Sequence, residues 1–206
     1  MYQRTGGFRD LTPVVKNLLL ANVAVFIVTE FVAPQSMQVA EIVVRGYLFP
    51  ISTGEFRIWQ PITHLFMHGG FAHIFFNMFG LWMFGSLLEN IWGSKRFLEF
   101  YMICGLAAAG AHLLTSDSPA IGASGAVMGI MAAFAYLFPN TELYIYGVLP
   151  VKAKYLVTVL VLIDLFAGLS NTGDNVAHFA HLGGALACLL MVIYWNKSKK
   201  NKSNFY

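Results

Sequence analysis

Ser124 sits in Gly122-Ala123-Ser124-Gly125 at the start of one apolar stretch, and His181 sits inside another. A serine hydroxyl is a weak nucleophile until a base takes its proton, and neutral imidazole is the usual base. The pair therefore suits attack on an amide carbonyl, with His181 accepting the serine proton and later delivering it to the leaving amine. His73 and Asn77, spaced i, i+4, project from one face of a helix. With the Ser124 backbone N–H at a helix N-terminus, they supply donors for the negative charge that attack builds on oxygen. Gly122 and Gly125 let the chain turn sharply and let a substrate approach the backbone. No carboxylate is expected at the depth of His181, with Asp164 in the fifth apolar stretch and Asp174 in a loop. The expectation is a Ser124–His181 dyad without a third member.

The elements that must hold these residues are membrane helices. The chain is 57% hydrophobic and only 11% charged, with a mean hydropathy of +0.63, which excludes an ordinary soluble domain. Six apolar stretches, roughly 17–33, 71–88, 97–115, 123–138, 155–170 and 176–195, match the length of a hydrocarbon core. They predict an all-α membrane protein, a six-helix bundle forming a single domain over residues 1–206. The connections are expected to be short, apart from a long segment between the first and second spans. That segment, residues 34–70, carries Val39 to Val44, Tyr47-Leu48-Phe49 and Ile58-Trp59, an amphipathic composition that belongs at the membrane interface. The stretch from about residue 196 to 206 reads as a polar, basic, disordered tail.

Lys and Arg set the orientation. With residues 1–16 inside, Arg4, Arg9, Lys16, Lys95, Arg96, Lys152, Lys154, Lys197, Lys199, Lys200 and Lys202 fall inside, and only Arg45 and Arg57 outside. Eleven against two predicts a multi-pass protein of the cell inner membrane with both termini cytoplasmic. The pI near 8.9 is then a signal of topology, and a nucleic-acid partner is not expected because no basic face carries base-stacking aromatics. No cleavable signal peptide is expected, since Phe31-Val32-Ala33-Pro34 lacks a small-residue cleavage site. Cys104 and Cys188 both fall inside spans, where packing is the expected role.

In this topology spans two, four and six run in the same direction. His73, Asn77, Ser124 and His181 then lie within roughly 10 Å of one boundary, at about 1.5 Å per residue. Polar groups inside a membrane are costly and mark function by default. The alternatives are packing and ligation. Gly125 and Gly129 form a G-x-x-x-G, a helix-packing signal, and five of the six histidines lie in two clusters that could ligate a metal or haem. Against ligation, there is no H-E-x-x-H and no carboxylate is expected beside the clusters.

The motifs together resemble the rhomboid family of intramembrane serine proteases, in a bacterial six-span form. The resemblance rests on Trp59, on His68 with His73-Ile74-Phe75-Phe76-Asn77, on Glu89 with Gly93-Ser94 and Arg96, on Gly122-Ala123-Ser124-Gly125, and on Ala180-His181-Leu182-Gly183-Gly184. It implies Ser124 as nucleophile, His181 as base, and His73 and Asn77 at the oxyanion site. It selects His181 over His178, which is left a structural or water-lining role. It implies a membrane-embedded first loop anchored by Trp59, and an inner polar network of Glu89 and Arg96. Two positions depart from the family pattern. Gln60 stands where the family often has Arg, weakening one loop contact, and Met128 stands where an aromatic can stack on the catalytic histidine. The implied activity is endoproteolysis of transmembrane protein substrates in the bilayer, with no metal, small-molecule or organic cofactor. A non-catalytic rhomboid-like binder of transmembrane segments is the second reading, and a His-ligated haem or metal protein the third.

Overall fold

The computed structural model describes residues 11–145, 148–170 and 177–203. Arg4, Arg9 and Asp174 lie outside the described residues.

Apolar runs of sufficient length fold as helices because backbone donors and acceptors in lipid must be satisfied within the segment. The described helices are α1 (Pro13–Gln35), α2 (Met37–Val44), α3 (Gln60–Thr63), α4 (Phe71–Trp92), α5 (Ser94–Thr115), α6 (Ser124–Leu137), α7 (Ala153–Ser170) and α8 (His178–Ser203). Five of them, α1, α4, α5, α7 and α8, are long and apolar enough to cross a membrane; α6 is shorter and equally apolar. This is the expected all-α, multi-pass bundle, with the fourth span as the short one.

Helix α6 is the hub. It touches α4, α5, α7 and α8, and most of its residues, ten of fourteen, are buried, as expected of a helix apolar all round. The core beside it holds Phe84, Phe97, Phe100, Tyr101 and Phe134. Leu162, Ile163, Phe166 and Leu169 on α7 point away from the bundle, so α7 is a peripheral helix with an apolar outer face. The α4 and α8 ends far from Ser124 meet through Trp92 and Trp195, whose rings are 5.5 Å apart.

Small residues set how closely the helices approach. A side chain at Gly184 would run into the Gly125 backbone, and one at Gly183 into Ala111. Helix α8 therefore packs directly on α5 and α6, and the G-x-x-x-G reading of Gly125 and Gly129 holds as packing. Gly129 lies against the sulfurs of Cys104 and Cys188. These two cysteines meet between α5 and α8, where packing was expected.

Two further features depart from the expectations, and a third adds detail to one of them. The α6–α7 connection is an antiparallel hairpin, β1 (Glu142–Ile145) paired with β2 (Leu149–Lys152), in place of a plain short turn. The expected disordered tail is helical through Ser203, because α8 continues past its apolar part. The first loop is ordered: α2 exposes Met37 and Ile42 and buries Val43, and Leu48 pairs with Ala120 through two backbone hydrogen bonds of 2.9 and 3.0 Å.

Candidate active site

The Leu48–Ala120 bridge holds the chain just ahead of Ser124. Gly122 then donates its N–H to the His64 carbonyl at 2.8 Å and adopts φ +116°, a conformation open to glycine and costly for other residues. A Cβ at Gly122 would also lie 2.6 Å from His73 Nε2. Glycine is thus required both for the turn and for the approach of the imidazole. Ser124 is the first residue of α6, so its N–H has no partner within the helix.

The close α8–α6 contact at Gly184 and Gly125 places His181, in the first turn of α8, against Ser124. His181 Nε2 is 2.6 Å from Ser124 Oγ. On the other side of the ring, His181 Nδ1 is 3.1 and 3.2 Å from the two carboxylate oxygens of Asp164. A carboxylate accepts, so Nδ1 carries the imidazole proton and the Nε2 lone pair faces the serine hydroxyl. That is the tautomer a general base requires.

Asp164 corrects the expected dyad. It is largely buried on the inward face of α7, and its Oδ1 also accepts from His178 Nδ1 at 2.7 Å. The signal was present in the sequence. Span five runs opposite to spans four and six, so its depth is counted back from Ser170. Six residues at about 1.5 Å put Asp164 roughly 9 Å from the same boundary as Ser124. The same finding corrects the statement that no carboxylate accompanies the histidine clusters: the ligand atoms of Asp164, His178 and His181 all lie within 4.8 Å of one another.

On α4, His73 Nδ1 accepts from the Gly69 N–H at 3.3 Å, which leaves the proton on Nε2, the atom beside Gly122. Asn77 Nδ2 donates to the His73 carbonyl at 2.9 Å and keeps a second amide hydrogen. The structure thus brings Ser124, His181, His73 and Asn77 to one end of the bundle on three helices.

His68 and His64 flank the site in the segment before α4. Both are buried. Burial, reinforced by His73, pushes His68 down to about 4. Burial also pushes His64 down to about 4, with His112 adding to it and the Gln60 carbonyl, 2.8 Å from Nδ1, opposing it. Both are neutral near pH 7.

The remaining expected residues have distinct placements. Trp59 Nε1 donates to the Arg45 carbonyl at 3.2 Å, tying α3 to the end of α2. Gln60, expected to weaken the loop, ties it together: it accepts from Phe49 N at 3.2 Å and donates to the carbonyls of Glu55 and Arg45 at 3.1 and 3.3 Å. A fully buried amide does this without a charge to desolvate. Met128 is buried in the helix core. Arg96 stacks on Trp195 at 3.8 Å, while Glu89 binds elsewhere.

The rhomboid domain family matches residues 55–198, most of the chain. The chain belongs to the rhomboid family. This rhomboid is 30% identical to the rhomboid protease GluP of Bacillus subtilis over 66% of this chain and 25% of that protein. It is 30% identical to the putative rhomboid protease YdcA of the same organism, over 93% of this chain and 96% of that one. The mitochondrial RHOMBOID-like protein 12 of Arabidopsis thaliana is 29% identical over 93% of this chain and 60% of its own length. The chain thus spans a quarter to three-fifths of the length of the first two curated relatives it matches.

Proposed function

We propose that this rhomboid is an intramembrane serine endopeptidase that cleaves transmembrane segments near their outer ends. The observation that carries this reading is the 2.6 Å contact between Ser124 Oγ and His181 Nε2, backed by the Asp164 carboxylate on the far ring nitrogen. Ser124 Oγ attacks the substrate carbonyl carbon as its proton passes to His181 Nε2. The oxyanion is met by the Ser124 N–H, the His73 Nε2–H and the free amide hydrogen of Asn77. The C–N bond breaks as His181 protonates the leaving amine, and water, deprotonated by His181, then hydrolyses the acyl-serine ester. Asp164 stays ionised throughout, holding the tautomer and stabilising the transient imidazolium.

The charge asymmetry supports cytoplasmic termini in an inner membrane and a site opening outward. Residues 1–206 then act as one domain, with Trp59 and Gln60 bracing the first loop. A helical substrate hides its carbonyls in i→i−4 bonds, so segments weakened by Gly or Pro near the cut are the expected substrates. The test is labelling of the purified protein in detergent by a fluorophosphonate. Labelling present in the wild type and absent in Ser124→Ala and His181→Ala supports the reading. A folded wild type that never labels overturns it in favour of a non-catalytic binder of transmembrane segments.

A further inference from the structure

Asp164 receives two imidazoles at once. His178 and His181 are spaced i, i+3 on α8 and so share a face, and both turn Nδ1 toward the Asp164 carboxylate, at 2.7 and 3.1 Å. Two imidazole nitrogens and a carboxylate are the donor set of a three-ligand zinc site whose fourth position is left to water. In a tetrahedral site with bonds near 2.1 Å, neighbouring donors sit roughly 3.4 Å apart. Here the three donors already lie within 4.8 Å of one another, so side-chain torsions suffice to close around an ion. The side chains are 11–15% exposed, so the cluster is not sealed within the bundle. The other histidines are differently engaged. His64 and His112 face backbone carbonyls at 2.8 and 2.7 Å, and His68 packs edge-on against His73. Among the described residues, Asp164, His178 and His181 are the one such cluster.

We propose that Asp164, His178 and His181 form an inhibitory site for a divalent transition cation, zinc by preference, that silences the serine by occupying His181 Nδ1. The inhibition rests on His181 being the base for Ser124. Zinc on Nδ1 displaces the proton held there, and the neutral ring carries its proton on Nε2 instead. Nε2–H then donates to Ser124 Oγ and can no longer accept from it. No bond to substrate is made or broken; the cation removes the base by changing its tautomer. The ion is an inhibitor and not a cofactor of the hydrolysis.

The experiment has two arms on the purified full chain, first stripped with a chelator. In the first, zinc chloride is titrated into Ser124→Ala in competition with a fluorescent zinc chelator, which reads binding without any catalysis. One zinc per chain is expected, weakened by at least about tenfold on adding His178→Gln or Asp164→Asn. In the second, the fluorophosphonate labelling rate of the wild type falls with the same zinc midpoint and recovers with chelator, while His178→Gln labels at its own zinc-free rate across that range. Absence of stoichiometric zinc on Ser124→Ala, or binding that both ligand variants leave unchanged, overturns the site. Stoichiometric binding with zinc-insensitive wild-type labelling overturns the inhibition. A wild type that labels under neither condition removes the serine–base reading and the inhibition with it, and the first arm still decides the site.

Discussion

Among the described residues two carboxylates, Glu89 and Asp164, are buried in the bundle; they lie at its opposite ends and are partnered in opposite ways. Glu89, on α4, is 2% exposed. It accepts from Thr12 Oγ1 at 2.5 Å, Ser94 Oγ at 2.6 Å and the backbone N–H groups of Val14 and Val15 at 2.9 Å. Every partner is a neutral donor. The side chain thereby caps the start of α1 from a distance, satisfying N–H groups that a helix cannot satisfy itself, and fastens α1, α4 and α5 together. Asp164 is met by two imidazoles, which can take up a proton or a metal ion. A buried carboxylate among alcohols and amides is a clamp; among imidazoles it becomes coupled to whatever proton those rings move. Residue type and burial are similar at the two sites, and the partners separate their roles.

The sharpest way to break that comparison begins with the groups Asp164 serves. Ser124→Ala and His181→Ala are each expected to lower cleavage of a transmembrane substrate by at least roughly 10⁴-fold while leaving the melting temperature in detergent near the wild-type value. Residual cleavage near the wild-type rate in either would end the comparison at its catalytic side. Asp164→Asn comes next, with an expected loss of about 10² to 10⁴-fold in kcat, since an amide no longer enforces the Nδ1–H tautomer. Glu89→Gln should do the reverse, costing about 2–4 kcal/mol of stability and sparing kcat in the fraction that folds. If the two variants exchange phenotypes, partner chemistry does not assign the roles. Asn77→Ala should cost about 10² to 10³-fold in kcat with little change in KM, as expected of a donor used mainly in the transition state.

The smallest effect is a pH dependence of stability from His64 and His68. Their folded pKa values are lowered to about 4 from 6.5, so the unfolded chain binds more protons between those limits. The stabilisation is complete above 6.5 and is lost as pH falls toward about 4. Melting temperatures measured across that window should decline on acidification, and His68→Gln should flatten the decline. A profile unchanged by the substitution would show that His68 does not contribute.

The helices, the short fourth span and the polar residues at one depth are all legible from apolar run length, because lipid permits few backbone solutions. Ser124, His181, His73 and Asn77 follow from arithmetic along parallel spans. Asp164 was equally countable, from the other end of an antiparallel span. Gln60 was not: whether an amide replaces an arginine well depends on which carbonyls the folded loop turns toward it. The hairpin between α6 and α7 was also missed, because Leu149–Lys152 includes a proline and carries no strong alternation.

Run length, charge and small-residue spacing, all local properties of the chain, therefore determined the helical bundle and which groups share a depth. Which of those groups touch was decided only by packing. The glycines at 125, 183 and 184 let α8 settle onto α5 and α6, and the inward face of α7 then carries Asp164 to His181. Contact between side chains on separate helices depends on interhelical distance and rotation, and no single segment encodes either.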